Sequence, residues 1–383
     1  MLKNPPRILV VGPSWVGDMV MAQSLFITLK NAQPDCQIDV LAPSWSFALL
    51  ARMPQVAKAI AMPLVHGQFG LLDRIKLGRK LRAEGYDQAI VLPNSWKSAL
   101  IPYFADIPVR TGYVGECRWG LLNDARKLDK SLLTMTVQRF VALGLPDTAQ
   151  LPPEYSVPEL VINPDQQNSV IEKFHLNVKV AENGNAIDRV SESVTRQNNA
   201  SSVGLRFRSV IASVLLPWSD KPTYPSPEKI LALCPGAEYG AAKRWPASYY
   251  AQVARQKIAE GWQVWLFGSD KDKAVAEQIN AEVSGQCIDF SGRTSLAEAV
   301  DLLSLVDAVV TNDSGLMHVA AALDKKIIAL YGSSDPHFTP PLNAKAHVIS
   351  LHLDCSPCFK RECPLGHTRC LNDISPEQVI AVI

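Results

Sequence analysis

The sequence predicts an α/β protein with two doubly wound parallel sheets that face each other across a cleft. Short apolar runs alternate with amphipathic helical stretches along the chain. Such alternation is typical of parallel sheets with helices on both faces. The pattern stops in the middle of the chain and then starts again, which indicates two separate sheets. Two such sheets in one chain place a ligand cleft between them.

The individual elements follow from the same periodicity. In the first half we expect buried strands at residues 7–11, 37–41 and 88–92, with helices at about 18–31, 47–53 and 71–84. In the second half the predicted strands are 230–234, 263–267, 308–311 and 326–330. The helices predicted there are 247–260, 271–283, 296–304 and 315–323.

Prolines mark the join between the two halves, because they cluster at both ends of the region 152–227. The predicted domains are residues 1–160 and 228–383, with a linker at 161–227. Within the linker, residues 183–202 are rich in Asn, Ser and Gly, which predicts a mobile loop. Residues 206–216 are apolar enough to form either a short helix or a strand.

Composition excludes several classes of protein. Lys plus Arg number 38 and Asp plus Glu 37, and this balance argues against nucleic acid as a partner. No run of eighteen apolar residues predicts a transmembrane segment. The N-terminus lacks the pattern of a secretion signal, so we expect a cytoplasmic protein with reduced cysteines.

The first predicted strand ends in GPSWVGD, residues 12–18. The spacing of its glycines differs from G-x-G-x-x-G and excludes the dinucleotide fingerprint. Backbone N–H groups in such a strand–helix turn face the cleft and favour an anion. Asp18 falls at the start of the helix, where two roles are open: an N-cap, or a catalytic carboxylate that also caps.

The second domain opens in a parallel way with CPGAEYGAAKRWP, residues 234–246. Gly236 and Gly240 permit a tight loop. Lys243 and Arg244 then lie beside a helix N-terminus, where they are suited to hold a diphosphate. The alternative is an ordinary pair of surface cations.

An acidic cluster, GSDKD at residues 268–272, follows the next predicted strand of this domain. An acidic side chain at such a strand end, here Asp270, can accept hydrogen bonds from both hydroxyls of a ribose. The segment also contains D-x-D, a metal-binding motif. Its position at a helix start favours ribose binding or helix capping.

The motif TNDSGLMHVAA, residues 311–321, joins a strand to a helix. Its small residues, Gly315 among them, let a phosphate approach the backbone N–H groups. Asp313 and Ser314 are expected to cap the helix, and His318 lies in its first turn. For His318 the alternative is a buried, hydrogen-bonded core histidine.

Four cysteines cluster near the C-terminus: Cys355, Cys358, Cys363 and Cys370. Four thiolates at such short spacings are typical of a structural zinc site. Unliganded thiols and disulfides are the alternatives. No catalytic work is assigned to this cluster.

These motifs together carry a family resemblance. D-S-G-x-x-H-x-A-A, with A-K-R-W-P upstream and V-G-D near the N-terminus, resembles the ADP-heptose:lipopolysaccharide heptosyltransferases, glycosyltransferase family 9. The resemblance covers about residues 7–160 and 228–350, and departs from the family at the long segment 183–227 and at the cysteine-rich end. Five stretches resemble the heptosyltransferase II members in particular: GPSWVGDMVMAQSL (12–25), LPNSWKSAL (92–100), GLLNDARKLDK (120–130), CPGAEYGAAKRWP (234–246) and TNDSGLMHVAAAL (311–323).

The resemblance implies the GT-B fold, two Rossmann-like domains facing across a cleft. Residues 1–160 would bind the acceptor and residues 228–383 the donor, ADP-heptose. It also implies that Asp18 is the catalytic carboxylate, that Lys243 binds phosphate and that Asp270 binds ribose. The diphosphate would lie at Asp313, Ser314, Gly315 and His318.

The implied reaction is an inverting transfer of heptose from ADP-L-glycero-D-manno-heptose to the first heptose of heptosyl-Kdo-lipid A, the lipopolysaccharide inner core. We expect the catalysis to need no cofactor or metal, because Lys243 and the helix N-terminus would supply the charge compensation. Three alternatives stay open: addition of the first heptose to Kdo-lipid A, as by heptosyltransferase I, a GT-B sugar-nucleotide epimerase, and a non-catalytic binding module.

The implied acceptor would place the protein at the cytoplasmic face of the inner membrane. A basic helical stretch in the acceptor domain is suited to anionic lipid or Kdo carboxylates. A solvated helix face is the alternative. The stretch comprises Arg74, Lys76, Arg79, Lys80 and Arg82.

Overall fold

The computed structural model describes residues 5–64, 68–178 and 229–383. The mobile loop expected at 183–202 and the apolar segment 206–216 lie outside the described residues. So does the rest of the long segment 183–227.

The first half forms one sheet of six parallel strands. The strands are β1 (Arg7–Val11), β2 (Gln37–Ala42), β3 (Val56–Ala61), β4 (Gln88–Val91), β5 (Val109–Tyr113) and β6 (Asp124–Arg126). The helices of this half are α1 (Val16–Ala32), α2 (Phe47–Leu50), α3 (Leu71–Leu81), α4 (Leu100–Phe104) and α5 (Thr136–Gly144). The strand order is β3-β2-β1-β4-β5-β6, so the order reverses between β1 and β4.

The second half forms another six-stranded parallel sheet. Its strands are β7 (Ile230–Cys234), β8 (Gln263–Leu266), β9 (Ile288–Asp289), β10 (Ala308–Asn312), β11 (Lys326–Tyr331) and β12 (Ala346–Ser350). Its helices are α7 (Ala247–Ala259), α8 (Lys273–Glu282), α9 (Leu296–Leu303), α10 (Gly315–Ala322), α11 (Arg369–Asn372) and α12 (Pro376–Ile380). The order β12-β11-β10-β7-β8-β9 matches that of the first sheet and reverses between β7 and β10.

The predicted pair of doubly wound parallel sheets is therefore confirmed. All seven strands expected from apolar runs are present, and they include the central pair of each sheet. Central strands of parallel sheets are buried on both faces and so have continuous apolar sequences. The strands that the pattern did not predict include the edge strands; β3, for example, is largely exposed or half-buried.

Helix α6 (Pro164–Lys173) lies inside the region predicted as linker and packs on α9 of the second half. The side chain of Asn163 caps it by accepting hydrogen bonds from the backbone N–H groups of Asp165 and Gln166. The domain boundaries at 160 and 228 remain a prediction.

The two halves meet where α1 packs against α10. A Cβ added to Gly17 would lie 2.4 Å from Cδ2 of His318, and one added to Gly315 would lie 2.7 Å from Cβ of Val16. The first turns of the two helices are therefore in direct contact. This contact brings Asp18 next to the second half of the molecule.

A buried ion pair also joins the halves. Arg52, just after α2, donates a hydrogen bond to Asp301 of α9 at 2.6 Å, and both side chains are almost fully buried. Arg52 also donates to the carbonyl of Ala297 at 3.2 Å. Removal of either charge would leave the other uncompensated in the interior, which is strongly destabilising.

Within the described ranges, no helix is both long enough and apolar enough to cross a bilayer.

Candidate active site

A cavity of about 1170 Å³ opens at the carboxyl ends of β1 and β4. This is the point where the strand order of the first sheet reverses, which is where doubly wound sheets bind ligands. Among the described residues that line the cavity, Phe338 is the one from the second half. The lining from the first half includes Gly12, Trp15, Asp18, Trp45, Phe69, Asn94, Trp96, Glu116 and Arg139.

Asp18 is the residue of the predicted site that lines this cavity. It occupies the first turn of α1, whereas the N-cap residue is Trp15. The suggested N-cap role of Asp18 is therefore wrong, and its role as a catalytic carboxylate remains a prediction. Burial raises the pKa of Asp18 to about 6, the charge of Asp313 adds to this effect, and Lys243 opposes it.

Lys243 and Asp313 form a largely buried ion pair in the second half. Lys243 ends a 3₁₀ turn (Ala241–Lys243) after β7, and Asp313 follows β10. The ammonium also lies 5.1 Å from the centre of the Tyr239 ring. An ammonium has three N–H donors, so those not used by Asp313 can bind an anion.

The N-terminus of α10 is not capped by a side chain. The N-cap residue is Ser314, whose hydroxyl lies 3.2 Å from that of Thr311. Ser314 thus has the expected N-cap position but makes no capping side-chain hydrogen bond. The expected capping by Asp313 is wrong, because Asp313 pairs with Lys243 instead. The first-turn N–H groups therefore have no side-chain acceptor and can receive a phosphate.

His318 is buried in α10 and packs against Gly17. Burial lowers the pKa of His318 to about 4, so its imidazole is neutral at ordinary pH. The neighbouring Asp313 opposes this shift and Lys243 adds to it. His318 is therefore a buried core histidine, which was the alternative interpretation, and it lies beside the predicted phosphate site. Donor binding by His318 remains a prediction.

Asn312 is an organising residue that the sequence patterns did not single out. Its side-chain oxygen accepts hydrogen bonds from the backbone N–H of Trp245 and the hydroxyl of Tyr250, each at 3.1 Å. Its amide donates to the carbonyl of Pro235 at 2.7 Å. Asn312 therefore fixes the loop after β7, which carries Lys243, to the end of β10. The sequence did contain a signal for this role, namely a polar residue at the end of an otherwise apolar strand.

Asp270 does not line the cavity. Its side chain is 81% exposed and pairs with Lys273 at 2.7 Å. Asp272, the other acid of the D-x-D motif, accepts hydrogen bonds from the backbone N–H and hydroxyl of Ser269 at 2.9 and 2.8 Å. Asp272 thus has a capping role, and ribose binding by Asp270 stays a prediction.

The basic stretch of α3 divides into two parts. Arg74 is buried and donates hydrogen bonds to the carbonyls of Phe69 and Lys97 at 2.8 and 3.1 Å, so it is not part of a solvated face. The other four cations are exposed. One of them, Arg82, pairs with Asp106 at 2.8 Å.

Comparison with known proteins identifies the family. The model of "Glycosyltransferase family 9 (heptosyltransferase)" matches residues 74–369. The chain belongs to this family. It is 44% identical over 378 residues to lipopolysaccharide heptosyltransferase 2 of Salmonella typhimurium, covering 98% of this chain and 96% of that protein. It is 43% identical to lipooligosaccharide heptosyltransferase 2 of Haemophilus influenzae, covering 98% and 97%.

Among solved structures, this heptosyltransferase is similar to E. coli ADP-heptose lps heptosyltransferase II. The TM-score is 0.77 at 40% identity, over 98% of this chain and 97% of that one. The predicted family and the predicted GT-B architecture are both confirmed. In this heptosyltransferase, Asp18, Lys243, Asp313 and His318 lie together where the two domains meet.

The four cysteines of the expected zinc site lie near one another in the second half of this heptosyltransferase. Across the three described segments, no group of three or more His, Cys, Asp or Glu side chains could hold a metal ion. Cys370 packs in the core of the second domain, and the sulfur of Cys363 accepts the backbone N–H of Thr368 at 3.4 Å. Burial raises the pKa of Cys370, and the nearby Cys355, Cys358 and Cys363 raise it further.

Zinc binding by these four neighbouring thiols stays a prediction, which elemental analysis of purified protein checks. Convergence of the four thiolates would give about one zinc per chain with tetrahedral sulfur coordination. Loss of this metal should lower stability more than the rate of transfer, since the cluster has no assigned catalytic role. Protein made with zinc present that contains none, and whose four thiols titrate freely, would contradict the prediction.

Proposed function

We propose that this protein transfers heptose from ADP-L-glycero-D-manno-heptose to the first heptose of the lipopolysaccharide inner core, with inversion at the anomeric carbon. Relatives named lipopolysaccharide heptosyltransferase 2 span nearly the whole chain, which supports both the donor and the acceptor. We infer that the acceptor occupies the cavity of the first domain and that the donor binds to the second.

The observation that carries this proposal is the position of Asp18. Its carboxylate lines the acceptor cavity and also interacts electrostatically with Lys243 and Asp313 of the other domain. A base that removes a proton from the acceptor hydroxyl must lie at such a junction, because the hydroxyl and the anomeric carbon meet there. Its pKa of about 6 is that of a base poised to work near neutral pH.

The donor diphosphate is assigned to Lys243 and the N-terminus of α10. Negative charge grows on the departing ADP as the glycosidic bond to phosphate breaks, and a fixed ammonium and helix N–H groups stabilise it. Asp313 holds Lys243 in place through the buried ion pair. Gly315 and Ser314 let the phosphate approach the backbone, and Asp270 is assigned to the ribose.

The chemical step then needs only groups of this chain. Asp18 takes the proton of the acceptor hydroxyl while that oxygen attacks the anomeric carbon from the face opposite ADP. One bond forms to the acceptor oxygen and the bond to the diphosphate oxygen breaks. Lys243 and the backbone N–H groups at the N-terminus of α10 compensate the negative charge on the departing ADP, so the proposed step uses no metal ion. The acceptor lipid places this reaction at the cytoplasmic face of the inner membrane.

A transfer assay with two matched acceptors tests the proposal. Purified protein is mixed with ADP-heptose and with lipid A–Kdo acceptors that carry no heptose or one heptose. We expect release of ADP and a product one heptosyl unit heavier only with the second acceptor, with an inverted anomeric centre. Use of the acceptor without heptose would indicate transfer of the first heptose. Conversion of the donor without acceptor would indicate an epimerase, and no turnover would contradict a transferase.

The pH dependence of transfer follows from the raised pKa of Asp18. Only the deprotonated carboxylate can accept a proton, so kcat/KM should rise with pH and level off above a midpoint of about 6. Bound diphosphate adds negative charge nearby, which disfavours the carboxylate and should move the midpoint of kcat to higher pH. Initial rates in overlapping buffers measure both. A kcat/KM that is constant from about pH 5 to 8 would contradict the assignment.

A further inference from the structure

Four large apolar side chains lie exposed at or beside the acceptor cavity: Phe69, Leu71, Leu72 and Trp96, here called the apolar tip. Phe69 and Trp96 line the cavity, and Leu71 and Leu72 follow Phe69 at the start of α3. The rings of Phe69 and Trp96 are in contact, with centroids 5.1 Å apart. Leu72 is 71% exposed, the highest value among the exposed large apolar side chains of the described ranges. Single exposed apolar residues are common, whereas a contiguous group marks a surface that binds a partner.

The apolar tip is held in a defined shape. Gly70 enters α3 with a φ of 48°, a conformation that favours glycine. The buried guanidinium of Arg74 binds the carbonyl of Phe69 on one side and that of Lys97 on the other. These hydrogen bonds join the two segments that present the tip.

Three cations continue from the tip along α3. Lys76 and Arg79 lie four and seven residues after Leu72, on the same side of the helix, and Lys80 is adjacent. All three are exposed, and none makes an ion pair within the described ranges. An apolar edge followed by basic side chains is complementary to an anionic bilayer, whose hydrocarbon lies beneath a layer of phosphates.

The tip is continuous with the acceptor cavity, since Phe69 and Trp96 belong to both. We propose that the apolar tip inserts into the headgroup layer of an anionic bilayer while Lys76, Arg79 and Lys80 contact its phosphates. A lipid-linked acceptor can then keep its acyl chains in the bilayer while its sugars reach Asp18. This last step rests on the proposed function, whereas binding to the bilayer does not.

Sedimentation with lipid vesicles tests this surface. The full chain should bind vesicles of phosphatidylcholine mixed with phosphatidylglycerol, bind phosphatidylcholine alone weakly, and be released by salt. A variant combining L72S, K76Q, R79Q and K80Q should lose on the order of 100-fold in partition to the anionic vesicles. The matched control removes one exposed leucine and three exposed cations of the other domain: L365S, K229Q, R255Q and K326Q.

The control should bind like the unchanged protein, and melting curves of both variants should match it, since all eight side chains are exposed. Equal loss of binding in both variants would overturn the proposal in favour of general charge attraction. Unchanged binding of the L72S, K76Q, R79Q and K80Q variant would also overturn it. A third result would also overturn it: the unchanged protein forms a dimer without vesicles and the variant is a monomer. The tip would then bind a second copy of the chain.

An activity arm separates this proposal from the proposed function. With acceptor embedded in anionic vesicles, the tip variant should transfer heptose at least about tenfold more slowly than the control variant. With the same acceptor sugars freed of lipid, the two variants should be equal. If vesicle binding depends on the tip but no acceptor receives heptose, the docking surface is supported and the proposed function is rejected.

Discussion

Replacing Asp18 with asparagine should lower the turnover of heptosyl transfer by about 10²–10⁴-fold, the usual cost of a lost general base. Asparagine keeps the shape of the side chain but cannot accept the proton of the acceptor hydroxyl. Because Lys243 and α10 belong to the other domain, affinity for ADP-heptose should stay nearly unchanged. Steady-state rates and calorimetric titration with ADP measure the two effects separately.

The control is Asp35→Asn, which changes an exposed acid of the same domain and should leave turnover unchanged. The Asp18 variant should melt no lower than the unchanged protein, since it removes a carboxylate whose burial disfavours the charge. The rise of kcat/KM through pH 6 should vanish with it. A variant that keeps most of its turnover would eliminate Asp18 as the base.

Lys243→Ala should weaken donor binding and also lower kcat by about 10²–10³-fold, because the diphosphate gains charge as its bond to heptose breaks. The substitution removes a cation and leaves the buried carboxylate of Asp313 without its partner. That carboxylate would then repel the diphosphate and raise the pKa of Asp18 further, since Lys243 lowers it. The midpoint of the pH–rate profile should therefore move upward.

A second substitution separates these contributions. Adding Asp313→Ala to Lys243→Ala removes the unpaired charge, so the double variant should bind ADP better than Lys243→Ala alone. Lys257→Ala is the control, since it breaks a pair between a buried lysine and Glu260 in the same domain, away from the cleft. Asp313→Ala and His318→Ala should each impair use of the donor. Unchanged ADP affinity in all three single variants would place the donor site elsewhere.

The sequence predicted the parts of this site that depend on local order along the chain. A buried parallel strand is a continuous apolar run, so the central strands β1, β7 and β10 were evident. Polar and small residues that follow such a strand lie at the carboxyl edge of the sheet. For this reason Asp18, Lys243 and Asp313 could be named as candidates before any contact between them was known.

The sequence could not predict which partner each candidate would have. Asp313 had the residue type and position of a helix cap, but it pairs with Lys243, which lies 70 residues earlier in the chain. Arg74 had the pattern of a surface cation, but it is buried because two backbone carbonyls from separate segments surround it. Such outcomes depend on contacts between distant segments, and helical periodicity carries no information about them.

By itself the sequence determined the family, the two doubly wound sheets and the strand ends that carry the polar motifs. Only the tertiary structure decided that α1 and α10 touch through Gly17 and His318, which places Asp18 near charges of the other domain. It also decided that Asp270 stays exposed. The physical reason is the distance along the chain between the interacting groups. Apolar periodicity indicates the burial of one segment, whereas the pKa of Asp18 depends on groups from distant segments that only folding brings together.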